Sequence, residues 1–136
     1  MASFEPRPPV RVLVVDDHEL FADALKLYLT RDSRIRVVGV ASSGQEAIDL
    51  ALAEDADVVL MDIFMRGMDG LEATKRLRSI RPETRIIVLT GLSGDEVAVE
   101  ARAAGAEGHL QKGTVHEQVV DAVLRVAEGG ALGPIQ

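Results

Sequence analysis

Apolar, β-branched runs alternate with segments of helical periodicity along almost the whole chain. Three of these runs are nearly continuous, at Val10–Val15, 58–61 and 85–89. Continuous runs are typical of strands that are buried on both faces, as in a parallel sheet with helices on each side. Two further strands are predicted at Ile35–Ala41 and Gly108–Gln111. The alternation therefore predicts five consecutive βα units.

Helices are predicted between these strands and after the last one. The first is indicated by apolar residues that recur at helical spacing, namely Leu20, Phe21, Ala24, Leu25 and Tyr28. The second should begin with a Ser43–Glu46 capping box and bury Ala47, Ile48, Ala51 and Leu52. A loop is predicted over residues 91–94, and the remaining helices over residues 71–80, 95–104 and 115–128.

Right-handed crossovers leave few topologies for five βα units. We predict an α/β fold of the flavodoxin-like (βα)5 kind, a single-domain, doubly wound parallel sheet in the order 2-1-3-4-5. The 136 residues are divided into a flexible lead-in at 1–9, one domain at 10–128, and a tail or start of a linker at 129–136.

Composition excludes several classes of function. The chain has no cysteine, which excludes disulfides, thiol catalysis and cysteine zinc sites. Its net charge of -7 disfavours a nucleic-acid or anionic-membrane surface. No apolar run reaches the roughly 18 residues of a membrane span, and the Pro-rich start lacks the apolar core of a secretory signal. We therefore expect a cytoplasmic protein without a membrane partner.

Polar residues follow four of the predicted strands. Asp16 and Asp17 follow the first, Asp62 the third, Thr90 the fourth and Lys112 the fifth. In doubly wound sheets the ligand site lies outside the carboxyl ends of the strands, so these side chains should converge there. Clustered carboxylates repel each other unless a cation binds, and oxygen ligands without cysteine or paired histidine favour Mg²⁺ or Mn²⁺ over zinc. The pattern indicates a metal-dependent carboxylate that accepts a phosphoryl group.

The segments at these strand ends resemble those of bacterial two-component response-regulator receiver domains. They are VVDD at 14–17, MD at 61–62, GMDG at 67–70, LTG at 89–91 and GHLQK at 108–112. The DHELF segment at 17–21 and the LTG segment are most similar to the NarL/FixJ-type subclass. The resemblance covers residues 10–128.

The resemblance implies a role for each matching residue. Asp62 would be the phosphoacceptor, and Mg²⁺ would be held by Asp16, Asp17, Asp62 and the backbone carbonyl of Phe64. Thr90 would be the switch hydroxyl and Lys112 would pair with the phosphoryl group. His109 stands at the rotamer-switch position, where the family usually has Tyr or Phe. Arg66 stands where the family usually has Pro.

The resemblance also implies partners. A sensor histidine kinase or a small phosphodonor would supply the phosphate, and phosphorylation would alter the face formed by residues 95–128. A homodimer is expected on phosphorylation. NarL/FixJ-type proteins usually carry a helix-turn-helix domain that none of the residues after Glu128 provides. DNA would therefore be bound only through a domain missing from this chain, whether the chain is a truncated piece or a stand-alone receiver.

Two other functions stay open on the sequence. A haloacid-dehalogenase-like phosphatase also uses an Asp nucleophile and Mg²⁺, but it needs an acid two residues later, where this chain has Phe64. A pseudo-receiver, an interaction module that is not phosphorylated, usually lacks the acids or the lysine, which are all present here.

Overall fold

The structure is a computed structural model, and it describes residues 7–91 and 95–130. Strands and helices alternate as β1 Val10–Val15, α1 Glu19–Thr30, β2 Ile35–Ala41, α2 Gly44–Ala53, β3 Val58–Asp62, α3 Gly70–Ile80, β4 Arg85–Thr90, α4 Asp95–Ala104, β5 Gly108–Gln111 and α5 Val115–Ala127. All strand pairs are parallel, and the sheet order is β2-β1-β3-β4-β5. The predicted flavodoxin-like fold class and strand order are confirmed.

Each face of the sheet carries its own hydrophobic core. Alternate residues of β1 point to opposite faces, so that Val12 and Val14 belong to one core and Leu13 and Val15 to the other. The first core contains buried residues of α1 and α5, and the second contains buried residues of α2, α3 and α4. Burial on both faces explains why the strand sequences are continuously apolar.

The apolar residues that indicated α1 do not all face the sheet. Leu20 is 88% exposed and Ala24 is also exposed. The residues of α1 that are fully buried are Ala22, Leu25 and Leu29. Helix α1 has apolar residues on more than one side, so that spacing alone did not identify which stripe faces the sheet. The same ambiguity applies to α2, where Leu52 is exposed although its burial was predicted.

Two strands extend one residue further than predicted, because Asp62 and Thr90 each still pair with the neighbouring strand. Helix α3 begins one residue earlier than predicted, at Gly70, and α5 ends one residue earlier, at Ala127. Most of the predicted lead-in, loop and tail, at residues 1–6, 92–94 and 131–136, lies outside the described residues. Within the described ranges, no helix combines the length and the hydropathy needed to cross a membrane.

Candidate functional site

Two buried acids and a lysine meet at the carboxyl ends of three strands. Asp16 follows β1, Asp62 ends β3 and Lys112 follows β5. The ammonium nitrogen of Lys112 lies 2.6 Å from Oδ2 of Asp16 and 3.3 Å from Oδ1 of Asp62. Asp16 is 1% exposed and Asp62 is 2% exposed. The fold therefore brings together three residues that are widely separated in the sequence.

Asp17 and His18 extend this cluster towards solvent. Oδ1 of Asp16 accepts a hydrogen bond from the backbone N–H of His18, 2.8 Å away. The ring nitrogen Nδ1 of His18 lies 3.1 Å from the same oxygen and 3.3 Å from Oδ1 of Asp17. The side chain of His18 is 71% exposed, but its ring nitrogen contacts both carboxylates.

The cluster provides suitable ligands for a divalent cation. Asp16, Asp17, His18 and Asp62 each offer one potential ligand atom, and these atoms lie within 4.8 Å of one another. Oδ1 of Asp17 and Oδ2 of Asp62 are buried and accept no hydrogen bond from the part of the chain that the structure describes. Unpaired buried carboxylate oxygens are costly, and a cation would satisfy them. The residues therefore fit a hard ion such as Mg²⁺ or Mn²⁺.

The surroundings of Asp62 disfavour the charged form of its carboxylate. Burial, and then the neighbouring carboxylate of Asp16, raise the pKa of Asp62 to about 6. The ammonium group of Lys112 opposes this increase in the pKa without cancelling it. Asp62 is therefore mostly ionised at neutral pH, but at an electrostatic cost that a bound cation would reduce.

The loop between β3 and α3 is held against the end of β3. The backbone N–H of Gly70 donates to the carbonyl of Ile63 over 2.9 Å. A Cβ atom at Gly70 would overlap the carbonyl oxygen of Asp62, so only glycine fits there. The backbone N–H of Arg66 lies 3.4 Å from Oδ2 of Asp17, at the long limit of a hydrogen bond. Close packing at Gly70 therefore fixes the backbone of Asp62.

Phe64 lies in this same loop, two residues after Asp62, and 57% of it is exposed. Its backbone carbonyl as a metal ligand stays a prediction. Beside Asp17 the surface forms a cleft of about 500 Å³ that also involves His18, Ser42, Ser43 and Arg66. This cleft gives the acidic cluster a route to solvent.

The two predicted switch residues lie on neighbouring strands. Thr90 is fully buried at the end of β4, and its carbonyl accepts a hydrogen bond from the backbone N–H of Lys112 over 2.8 Å. His109 is half-buried on β5 and pairs in register with Val88. Burial, helped by the charge of Arg102, lowers the pKa of His109. Both switching roles stay predictions.

Phe21 is a site residue that the sequence analysis did not identify. It was named only among the apolar residues that indicated α1, but its ring centroid lies 4.7 Å from the ammonium nitrogen of Lys112. This geometry is a cation–π contact. The sequence offered only a weak signal for this contact, because an apolar residue such as Phe21, four positions after Asp17, is common at the start of a helix.

Comparisons with known proteins agree on one kind of domain. A family sequence model described as "Response regulator receiver domain" matches residues 12–124. The transcriptional regulatory protein LiaR of Bacillus subtilis is 38% identical over 120 residues, which are 88% of this chain and 57% of LiaR. The response regulator protein VraR of Staphylococcus aureus strain Mu3 is 37% identical, with the same two shares. The chain thus spans a little over half the length of these relatives.

Solved structures give the same result. The signal receiver domain of the putative response regulator NarL from Mycobacterium tuberculosis has a TM-score of 0.86 at 35% identity, with 90% of this chain and 99% of that chain covered. A LuxR-family two-component response regulator from Aurantimonas sp. SI85-9A1 has a TM-score of 0.86 at 29% identity, with 90% and 88% covered.

Proposed function

Because the chain belongs to the response-regulator receiver-domain family, within its NarL/LuxR-type branch, we propose that it is a signalling switch in which Asp62 receives a phosphoryl group. The observation that carries this proposal is the buried Oδ2 of Asp62, which has no hydrogen-bond partner among the described residues. Asp62 lies in a cluster with Asp16, and its other carboxylate oxygen, Oδ1, is 3.3 Å from the ammonium nitrogen of Lys112. The family placement agrees with the resemblance found in the sequence.

In the proposed reaction, a carboxylate oxygen of Asp62 attacks the phosphorus atom of a phosphohistidine or of a small acyl phosphate. The new O–P bond forms as the donor's P–N or P–O bond breaks, and the leaving group departs with that bond's electron pair. Lys112 neutralises part of the charge on the acids before and during the transfer. Asp62 is only 2% exposed, so its carboxylate is weakly hydrated before it attacks.

Receiver domains bind Mg²⁺ at an acidic pocket, and this chain has such a cluster. Here Asp16, Asp17, Asp62 and the backbone carbonyl of Phe64 would hold the ion, and Mn²⁺ would fit the same oxygens. The ion would neutralise negative charge on the phosphoryl oxygens.

The negative charge of the phosphoryl group would act on polar residues at the ends of β4 and β5. The hydroxyl of Thr90 and the ammonium of Lys112 are proposed to bind phosphoryl oxygens, and their joint movement would shift residues 95–128. The backbone hydrogen bond between Lys112 and Thr90 supports such coupling, because it ties the two residues together. His109 lies on β5, which ends directly before Lys112, and its side chain would change position with this shift.

The proposed partners follow from the family. A sensor histidine kinase would donate the phosphate, and the shifted face would control formation of a homodimer or the binding of an effector. LiaR is named a transcriptional regulatory protein, and we propose a role in transcription for this chain too, with DNA bound through a helix-turn-helix domain outside it. The domain would work in the cytoplasm as a switch that catalyses its own phosphorylation and dephosphorylation rather than as a metabolic enzyme.

Intact-mass measurement after treatment with acetyl phosphate tests this proposal. We expect one added phosphoryl group in the presence of Mg²⁺, little without it, and none in Asp62→Asn. Asp23→Asn, which changes an exposed aspartate of α1, is the matched control and should label like the wild type. Equal labelling of Asp62→Asn would refute the assignment. Sustained turnover of a simple phosphomonoester would instead favour a phosphatase.

A further inference from the structure

We propose that the imidazole of His18 joins the carboxylates of Asp16 and Asp17 as a ligand, so that the acidic site also takes a borderline transition-metal ion such as Co²⁺, Ni²⁺ or Zn²⁺. The inference deepens the proposed function and rests on it, because it concerns the same metal site. It revises the expectation from sequence that only oxygen ligands are available there.

The spacing of the three ligand atoms supports shared coordination. Nδ1 of His18 lies 3.1 Å from Oδ1 of Asp16 and 3.3 Å from Oδ1 of Asp17. Ligands at about 2.1 Å from an octahedral ion are separated by about 3 Å when they are adjacent. The nitrogen and the two oxygens therefore lie at distances that suit adjacent positions around one ion.

A second, independent observation points to a cation at this place. Oδ2 of Asp62 belongs to a residue that is only 2% exposed, and it accepts no hydrogen bond from the described residues. Asp62 also contributes a ligand atom to the group that contains His18. Asp62, whose Oδ2 is buried and unpaired among the described residues, thus joins the imidazole and the two other acids in one group of potential ligands.

The imidazole of His18 is available for this role. His18 precedes α1 as its N-cap residue, but its side chain makes no capping hydrogen bond. The ring is 71% exposed, so that it can reorient towards an ion without disturbing the hydrophobic core. The cleft that His18 lines with Asp17 and Arg66 gives an ion access from solvent.

The nitrogen ligand of His18 should increase the affinity for some metal ions more than for others. Imidazole nitrogen suits Zn²⁺, Ni²⁺ and related ions, whereas Mg²⁺ is held by oxygen ligands. Removing the nitrogen should therefore weaken binding of Co²⁺ strongly and binding of Mg²⁺ only slightly. A change in selectivity of this kind would not follow if His18 only positioned the carboxylates, because both ions would then be affected alike.

The test measures binding of Co²⁺ and of Mg²⁺ by calorimetry in the same buffer and at the same pH. We expect His18→Ala to weaken Co²⁺ binding about tenfold or more and Mg²⁺ binding less than about threefold. His116→Ala is the matched control, since His116 is exposed on α5, and it should bind both ions like the wild type. Asp62→Asn should weaken both ions, which would place them at the acidic site.

Pulsed electron paramagnetic resonance of bound Cu²⁺, another ion that imidazole suits, provides a readout independent of affinity. The chain has three histidines and no cysteine, so an imidazole nitrogen coupling can be assigned by substitution. We expect the coupling in the wild type and in His116→Ala, and its loss in His18→Ala. Binding of Mg²⁺ and Cu²⁺ without any nitrogen coupling, with unchanged Co²⁺ affinity in His18→Ala, would overturn the inference and leave the proposed function intact. Absence of binding by every ion would contradict both.

Discussion

Lys112 lies closer to Asp16 than to Asp62, with its ammonium nitrogen 2.6 Å from Oδ2 of Asp16 and 3.3 Å from Oδ1 of Asp62. One ammonium group therefore compensates two buried carboxylates and favours the one that is not the proposed phosphoacceptor. This arrangement leaves Asp62 the less neutralised of the pair, in agreement with its raised pKa.

Replacing Lys112 by glutamine should destabilise the protein in metal-free buffer and increase its dependence on Mg²⁺. Breaking a buried ion pair leaves uncompensated charge, at a cost on the order of 3 kcal/mol. Urea unfolding in EDTA and in Mg²⁺ measures both effects, and Mg²⁺ should restore more stability to Lys112→Gln than it adds to the wild type. Lys75→Gln, on the exposed side of α3, serves as the control. Equal stability of Lys112→Gln and wild type in EDTA would contradict the compensating role.

The raised pKa of Asp62 predicts that Asp62→Asn is more stable than the wild type at pH 7 without metal. The pKa is about 6 in the folded protein and 3.8 is its ordinary value, so the folded state holds the proton more tightly. The wild type therefore loses stability as the pH rises through this window. We expect an advantage on the order of 1–3 kcal/mol for Asp62→Asn at neutral pH, decreasing towards zero below about pH 4. Urea unfolding across this range measures it.

Asp32→Asn is a control for which we expect the opposite change in stability to that of Asp62→Asn. The hydrogen bond from the Arg34 side chain lowers the pKa of Asp32 to about 2. Its contribution to stability is present above the ordinary pKa of 3.8 and is lost as the pH falls through about 2. Asp32→Asn should therefore be slightly less stable than the wild type at neutral pH. If both variants shifted in the same direction, the cause would not be the local electrostatics of Asp62.

Gly70→Ala should disrupt the site through the backbone of Asp62. The added Cβ would overlap the carbonyl oxygen of Asp62, which forces the end of β3 or the start of α3 to move. We expect a loss of stability on the order of 1–3 kcal/mol and slower phosphorylation by acetyl phosphate. Gly91→Ala is the control, because a Cβ there meets no atom of the described residues within 4 Å. Similar stabilities and labelling rates for the two variants would contradict the close packing at Gly70.

Phe21→Leu should slow phosphorylation modestly, because the aromatic ring helps to hold the ammonium of Lys112. A cation–π contact of this kind contributes about 0.5–1 kcal/mol, equivalent to roughly a twofold to fivefold change in rate. Single-turnover labelling with acetyl phosphate measures the rate, and Phe21→Tyr should retain it since tyrosine keeps the ring. Equal rates in Phe21→Leu and wild type would show that the aromatic ring does not help to hold Lys112.

Sequence reasoning predicted the positions of the acids and of Lys112 because a parallel sheet brings the carboxyl ends of its strands to one edge. The convergence of Asp16, Asp62 and Lys112 could be predicted from the strand ends and the strand order alone. The contacts of His18 and Phe21 were not predictable in this way, since they depend on how α1 is rotated about its axis. The exposure of Leu20 has the same origin, because α1 is apolar on two sides and only packing selects the buried one.

The most direct test of the central claim is to locate the phosphoryl group in the chain. The protein would be treated with acetyl phosphate and Mg²⁺, reduced with borohydride to convert an aspartyl phosphate to homoserine, and digested for mass spectrometry of the peptides. We predict homoserine at position 62 and unmodified carboxylates at Asp16 and Asp17. Homoserine at either of those two positions, or phosphate recovered only on a hydroxyl side chain, would contradict the account.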